Sequence, residues 1–417
     1  MISYHTCPLA TLGGKDTGGM NVYVRDFARE LGRQGIGVDV FTRSQDEHQP
    51  HVKHDLGYGN RVVHVPAGPE EPLPKAELYT FLPQFVEGIL QFARETDTQY
   101  DIIHSHYWLS GQAARALQDQ WRAPGGGRGL PLIHMFHTLG HMKVRVAGRA
   151  PDAEDTLRLR TEMDILQSAD RIVAATLAER TQLQWLYHSD LKNVVVIPPG
   201  VDLELFFHIP RREARAAIGV PPDDKMLVFA GRIEPLKGVD TLLEAIALLR
   251  QRAIPGVEHL CLSIIGGDPA ESPEKMNAEM GRLLELRRSL GLGEMVAFLG
   301  KRDQDSLRNF YAAAEAVVMP SHYESFGMVA LEAMASGTPV VASGVGGLAF
   351  LVQDGVTGFT VPDRDPAALA AKLELILTDD PLRRRLGRQA AEHAQGYAWP
   401  LIARQIVEMY AEVAGEA

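Results

Sequence analysis

Two short stretches carry residue types suited to gripping a pyrophosphate and a sugar. In Gly231-Arg232-Ile233-Glu234-Pro235-Leu236-Lys237-Gly238, an arginine and a lysine stand in a turn between a strand-like run and a helical one. A guanidinium fork and an ammonium point charge can together hold a diphosphate. They can also stabilise the charge that develops on it as a glycosidic bond breaks. The second stretch is Glu324-Ser325-Phe326-Gly327-Met328-Val329-Ala330-Leu331-Glu332. Even if it were wholly helical, its two carboxylates would be roughly 12 Å apart along the axis, too far for an acid pair. They suit opposite ends of one extended ligand, with Glu332 accepting from ribose hydroxyls and Glu324 lying near the sugar. Between them, the backbone N–H groups of Phe326, Gly327 and Met328 would face the phosphates at a helix start. Each motif alone has a plainer alternative, a solvated basic turn or a helix-surface carboxylate.

Other candidates lie at strand ends. Gly13-Gly14-Lys15-Asp16-Thr17-Gly18-Gly19-Met20-Asn21 leads from the first strand-like run into a helix, where glycines let backbone approach a phosphate or sugar. It is neither the G-x-G-x-x-G nor the P-loop pattern, so nothing points to a nicotinamide or ATP. Gly344-Val345-Gly346-Gly347 is a second loop of this kind. His104, His106, His134 and His137 crowd two strand ends, but their spacing matches no zinc signature and no Cys or Asp/Glu set completes it, so no metal is expected. His104 reads as a packed strand histidine, and His137, at its strand's end, as a polar site residue. Lys75, Lys143, Arg145, Arg158 and Arg160 could form a phosphate-recognising patch, although most such cations are merely solvated.

The elements that must position these residues are apolar, β-branched runs alternating with helical stretches, the pattern of parallel sheets covered on both faces. A first series of strands is predicted at 2–5, 38–42, 62–66, 102–106, 132–137, 171–175 and 194–197, with helices at 22–35, 75–95, 111–121 and 155–168. A second has strands at 226–230, 260–265, 296–299, 316–320, 340–342 and 358–361, and helices at 239–251, 275–290, 305–314, 327–335 and 365–378. The fold class predicted is α/β: two facing, doubly wound, Rossmann-like domains with an interdomain cleft at the carboxyl ends of their strands. The expected boundaries are 1–198, 199–396 and 397–417, with a hinge at the turn-forming Pro198-Pro199-Gly200-Val201-Asp202. The last stretch is a helix over 401–413, opened by Trp399-Pro400 and crossing back to the first domain. Residues 122–129 read as a mobile glycine-rich loop and 45–59 as a polar loop. The run at 2–5 begins late for a buried first strand, so either the true start lies upstream or that strand is short.

A net charge of -11 argues against nucleic acid as a partner. The only cysteines, Cys7 and Cys261, suggest no disulfide framework and fit a reducing cytoplasm. No apolar run reaches the roughly 18 residues of a membrane span, and the N-terminus does not read as a signal peptide.

Together the motifs resemble the retaining GT-B glycosyltransferases of the family that contains sucrose-phosphate synthases and mycothiol-pathway enzymes. The most specific elements are Gly231-Arg232 with Lys237-Gly238, and Glu324 with Glu332. The N-terminal half is most similar to enzymes that move N-acetylglucosamine from UDP-N-acetylglucosamine to inositol 1-phosphate. The matching stretches are Tyr4-His5-Thr6-Cys7-Pro8-Leu9, Thr17-Gly18-Gly19-Met20-Asn21-Val22-Tyr23-Val24, Lys75, His104-Ser105-His106-Tyr107-Trp108-Leu109-Ser110-Gly111 and His137-Thr138-Leu139.

The resemblance implies a UDP-sugar co-substrate, a small soluble acceptor and no essential divalent metal, and it leaves a homodimer open. It implies that Lys75, Tyr107, Thr138 and Arg158 hold an acceptor phosphate, with His5 in the same set. Asn21 and Gly19 would lie by the reacting centre, and His137 would contact the donor sugar. Arg232 and Lys237 would hold the diphosphate, Glu324 the sugar hydroxyls and Glu332 the ribose. Arg158 and Arg160 both lie near the family's arginine position. Transfer of glucose to fructose 6-phosphate or fructose remains an alternative, with a nucleotide-sugar epimerase and a non-catalytic binding protein as further ones.

Overall fold

The computed structural model of the chain describes residues 1–11, 17–121, 129–252, 254, 259–269, 276 and 278–415. Residues 13–16 of the first glycine-rich loop, and 122–128 of the loop read at 122–129, lie outside them. Packing divides the chain into two units. One is Met1–Ala10, Met20–Gly200 and Trp399–Ala417; the other is Thr11–Gly19 with Val201–Ala398.

The first unit contains β1 (Asp39–Arg43), β2 (Val52–Lys53), β3 (Arg61–Val65), β4 (Ile103–His106), β5 (Leu132–Met135), β6 (Arg171–Ala174) and β7 (Val194–Val196). They lie in the orders β1-β3-β2 and β4-β5-β6-β7, parallel except at β2. The strand expected at 2–5 shrinks to a bridge in which Ile2 pairs in parallel with Phe41 on one side and Ser105 on the other. This bridge joins the two groups of strands. Beyond it Ser3 N still donates to the Phe41 carbonyl at 2.9 Å, while Ser3 Oγ donates to the Thr6 carbonyl at 2.7 Å and Tyr4 N to Ser110 Oγ at 3.0 Å. The expected loop at 45–59 contains β2, whose Val52 and Lys53 pair antiparallel with Val63 and Val62.

Its helices are α1 (Gly19–Arg33), α2 (Leu82–Glu95), α3 (Trp108–Gln120), α4 (Gly140–Ala147), α5 (Ala153–Ser168) and α6 (Leu177–Tyr187). The single helix expected over 75–95 is broken into a turn at Lys75–Leu78, a 3-10 turn at Tyr79–Phe81, and α2. Pro83 sits in the first turn of α2, the position where proline is tolerated. A reciprocal capping box between Asp152 and Asp155 starts α5. Phe85, Ile89, Leu109, Leu132, Phe136 and Ile165 lie fully buried in the core.

The second unit has one six-stranded parallel sheet of β8 (Lys225–Ala230), β9 (Leu260–Ile265), β10 (Val296–Gly300), β11 (Ala316–Met319), β12 (Val340–Ser343) and β13 (Gly358–Val361). Their order is β10-β9-β8-β11-β12-β13. The chain thus winds outward from β8 to β10, then restarts beside β8 at β11 and winds the other way. Ligands of open α/β sheets bind at the carboxyl ends of strands where the winding reverses. Helices α7 (Arg211–Ile218), α8 (Val239–Arg252), α9 (Ala278–Ser289), α10 (Gln304–Ala313), α11 (Met328–Ala335), α12 (Pro366–Thr378) and α13 (Asp380–Ala394) belong to this unit.

The terminal helix α14 (Trp399–Gly415) packs with the first unit. Trp399 is buried with its ring 5.3 Å from that of Tyr23 and 6.0 Å from that of Phe27. A Cβ on Gly200 would come within 2.4 Å of the indole, so this packing needs glycine there. Further along α14, Tyr410 Oη lies 2.5 Å from His104 Nδ1.

Candidate functional site

In the second unit, Arg232 and Lys237 follow β8 and Glu324 follows β11, the two strands that flank the reversal. Pro235–Lys237 form a 3-10 turn closed by Gly238 at φ 63°. A Cβ on Gly238 would stand 2.0 Å from the Pro320 carbonyl oxygen, so only glycine lets this turn press against the end of β11. His322 N donates to the Leu236 carbonyl at 2.9 Å and ties the two loops together. Lys237 Nζ consequently meets Glu324 Oε2 at 2.5 Å, with the side chains 16% and 18% exposed. This is not a solvated basic turn. Arg232 donates to Glu234 Oε1 at 2.8 Å.

Glu324 is braced from behind. Gly347 N donates to its carbonyl at 2.8 Å, and a Cβ on Gly346 would fall 2.0 Å from that same oxygen. The loop after β12 therefore supports the Glu324 loop by close backbone packing. Phe326 leads to Gly327, which turns at φ 110° and opens α11 at Met328 without a side-chain cap. Glu332, one turn further along α11, is only 4% exposed and accepts from Gln304 Nε2 and Tyr311 Oη of α10, each at 3.0 Å. The helix-surface alternative for Glu332 is thereby excluded. Gly18 and Gly19 pack with this unit: Cβ atoms there would stand 3.6 Å from Arg232 Nε and 3.2 Å from Met328 Cγ.

In the first unit, two non-glycine residues hold left-handed backbone at neighbouring strand ends, Tyr107 after β4 (φ 77°) and His137 after β5 (φ 60°). Strain of this kind costs about 1–3 kcal/mol per residue and gathers at functional sites. The Tyr107 ring lies 4.4 Å from that of His5, with Arg158 Cζ at 4.9 Å and Lys75 Nζ at 5.8 Å from its centroid. Arg158 donates to Tyr107 Oη at 3.2 Å, to the Thr138 carbonyl at 2.6 Å and to Thr138 Oγ1 at 3.2 Å. Burial pulls the Tyr107 phenol upward, but Arg158, Lys75 and Lys143 outweigh it and hold the group below its ordinary value. His5, Lys75, Tyr107, Thr138 and Arg158 are thus gathered in one place.

The other candidates are placed differently. Asn21 is 1% exposed and donates to Thr6 Oγ1 and the Cys7 carbonyl, both at 2.7 Å, so it anchors the segment that follows the Ile2 bridge. His137 Nε2 lies 3.0 Å from His106 Nδ1. Burial pushes His137 down to about 3, which keeps its ring neutral at ordinary pH. Arg158 is buried in α5 whereas Arg160 is exposed, which separates the two arginines the sequence left open. Among the described residues no group of three or more His, Cys, Asp or Glu could hold a metal ion, and no helix is long and apolar enough to cross a membrane.

Sequence reasoning missed the partners of these residues: Glu162 on Arg158, Tyr187 on Glu162, and Gln304 and Tyr311 on Glu332. Only the first left a local signal, the i,i+4 spacing of Arg158 and Glu162 on one helix face.

The chain matches the family model described as Glycosyl transferases group 1 over residues 210–393, and Glycosyltransferase Family 4 over residues 17–205. It is 42% identical over 414 residues to the D-inositol 3-phosphate glycosyltransferase of Saccharomonospora viridis, covering 99% of this chain and 93% of that one. To the protein of the same name from Corynebacterium diphtheriae it is 40% identical over 417 residues, covering 99% and 94%. Among solved structures it is similar to sucrose-phosphate synthase from Thermosynechococcus elongatus, with a TM-score of 0.88, 34% identity, and coverage of 100% and 98%.

Proposed function

Because the chain belongs to the GT-B glycosyltransferases, in the family of the D-inositol 3-phosphate glycosyltransferases, we propose that it moves a hexosyl group from a UDP-sugar of the UDP-N-acetylglucosamine type to a small phosphorylated polyol such as an inositol monophosphate, with retention at the anomeric carbon. The observation that carries this reading is the meeting of Lys237 and Glu324, beside Arg232 and the start of α11, at the carboxyl ends of β8 and β11. In it, Arg232, Lys237 and the N–H groups at Phe326, Gly327 and Met328 hold the diphosphate. Glu332 accepts from the ribose and Glu324 from the sugar hydroxyls, while Gly19 leaves room beside the reacting centre. As the glycosidic bond lengthens, the leaving oxygen gains charge that Lys237 and the helix start stabilise in place, with no reorganisation at that moment. The acceptor hydroxyl attacks on the face the diphosphate leaves, through an oxocarbenium-like state. No metal is needed in this scheme because side chains and helix supply the positive charge.

The first unit holds the acceptor. Lys75, Tyr107, Thr138 and Arg158, with His5 beside them, take its phosphate; Asn21 lies by the reacting centre, and His137, neutral, contacts the donor sugar. A site built this way reads the phosphate more strictly than the polyol. Transfer of glucose to fructose 6-phosphate is therefore the second reading, favoured by the 34% identity to a sucrose-phosphate synthase. A matrix of UDP-, ADP- and GDP-sugars against inositol 1-phosphate, fructose 6-phosphate and free fructose, run with and without chelator, separates the two. Lys75→Ala is expected to raise the KM of the phosphorylated acceptor by about 10-fold with donor KM unchanged, a loss typical of one charge-assisted contact. Turnover confined to unphosphorylated acceptors, or epimerised donor without any acceptor, refutes the proposal.

A further inference from the structure

Arg158 directs most of its donors at the protein. Nε meets Glu162 Oε1 at 2.7 Å, one Nη1 donor goes to Tyr107 Oη, and Nη2 donates to both the carbonyl and Oγ1 of Thr138. A hydroxyl oxygen that accepts from a cation must turn its own proton elsewhere. Arg158 therefore turns the hydroxyl protons of Tyr107 and Thr138 away from the guanidinium, where they can be donated to a phosphate.

What fixes Arg158 is Glu162. Its side chain is fully buried, one turn after Arg158 on α5. It accepts from Tyr187 Oη of α6 and from the backbone N–H of Gly140, which lies 3.2 and 3.1 Å from its two oxygens. Gly140 is the first residue of α4, the helix that carries Lys143. A Cβ on Gly140 would come within 2.8 Å of Glu162 Oε2, so the approach depends on glycine. One carboxylate thus anchors the guanidinium directly, and through the start of α4 it sets the helix bearing a second cation that acts on Tyr107. We infer that Glu162, held by Tyr187, is the positioning residue of the phosphate site; this rests on the acceptor reading proposed above.

Glu162→Gln separates position from charge, because it keeps the shape and removes one negative charge near the site. If Glu162 acted only through its field, phosphate would bind more tightly to the variant. Positioning gives the opposite sign. The first readout is calorimetric binding of inorganic phosphate to the full chain without donor, where Glu162→Gln is expected to weaken affinity by about 10-fold, the scale of one lost charge-assisted contact. The second is kinetic: the KM of the phosphorylated acceptor rises by a similar factor, while kcat and donor KM stay within about twofold. Phosphate binding as tight as wild type, or tighter, overturns the inference.

Should Glu162→Gln fail to fold, Tyr187→Phe removes only the hydroxyl that holds Glu162. It is expected to weaken phosphate by about threefold, and no change there overturns the inference equally. If the wild type binds phosphate in a Glu162-dependent way but glycosylates no phosphorylated acceptor, the function proposed above fails and the positioning role stands. If the wild type binds no phosphate, both fall.

Discussion

Lys237 and Glu324 hold each other at 2.5 Å, so the cation offered to a diphosphate is already partly neutralised. A diphosphate must compete with a single carboxylate for that lysine, and its greater charge decides the contest. Removing the lysine has two effects, since the attraction is lost and a half-buried carboxylate is left facing an anion. Lys237→Ala is therefore expected to lower kcat by about 100–1000-fold, as loss of a transition-state charge contact does. Adding Glu324→Gln to that variant should tighten donor binding again by relieving the repulsion, which a titration with the free nucleoside diphosphate would detect. Retained turnover in Lys237→Ala would contradict the assignment. Residue types and their order along the chain made Arg232, Lys237, Glu324 and Glu332 legible as candidates. The burial of Glu332 against Gln304 and Tyr311 was not, because those residues come from the preceding helix and nothing local in the sequence marks them.

The loop after β12 shows how an element can serve a site through a neighbour's backbone. Gly346, at φ 49°, and Gly347 press against the backbone of 324–326, and that closeness fixes where the Glu324 carboxylate begins. Gly346→Ala would place a methyl 2.0 Å from the Glu324 carbonyl oxygen, in a backbone conformation that disfavours alanine as well. Such a clash is expected to cost roughly 1–3 kcal/mol, lowering the melting temperature and donor affinity together. A variant with native donor affinity would show that the Glu324 loop does not depend on this brace. At this scale the strands were read most faithfully, because buried parallel strands are continuous apolar runs; β9 and β13 span the residues foreseen for them. Helices α4, α6, α7 and α13 were not foreseen. Helix α4 opens without a side-chain cap straight after the Tyr107-like strain point at His137, which hides its start, whereas α6 and α13 have Thr176 and Asp379 caps that could have been used. Of the strand expected at 2–5 only the bridge at Ile2 remains: Ser3 N still donates to the Phe41 carbonyl, but Tyr4 N turns to Ser110 Oγ, which nothing local in the sequence marks.

Across the whole molecule the four strand-end histidines make an acid-sensitive core. Burial holds His134 and His137 at about 3, and His104 and His106 well below their ordinary value. A histidine depressed in the folded state takes up its proton first in the unfolded chain. Stability is therefore complete above about pH 6.5 and falls as pH drops toward the folded values, by about 1.4 kcal/mol per histidine and pH unit at most. Glu179 works the other way: burial and then Glu162 raise it to about 7, so it removes stability as pH rises toward that value. His64, lowered by burial to about 4, joins the four, and Glu315, raised by burial, joins Glu179; the histidines leave acid as the damaging direction. Melting curves of the full chain should shift to lower temperature between pH 7 and pH 5, and an unchanged midpoint would count against neutral histidines.

The terminal helix adds a consequence for biosynthesis. Trp399 and Tyr410 fill the core of a unit whose other residues end at Gly200. A ribosome makes the intervening two hundred or so residues, which have their own sheet and core, before it delivers that last piece. The first half of the chain must then wait, emerged but unfinished, until that helix has been made. Until then the apolar surface that Trp399 and Tyr410 cover stays open on the nascent N-terminal half, the kind of surface chaperones hold.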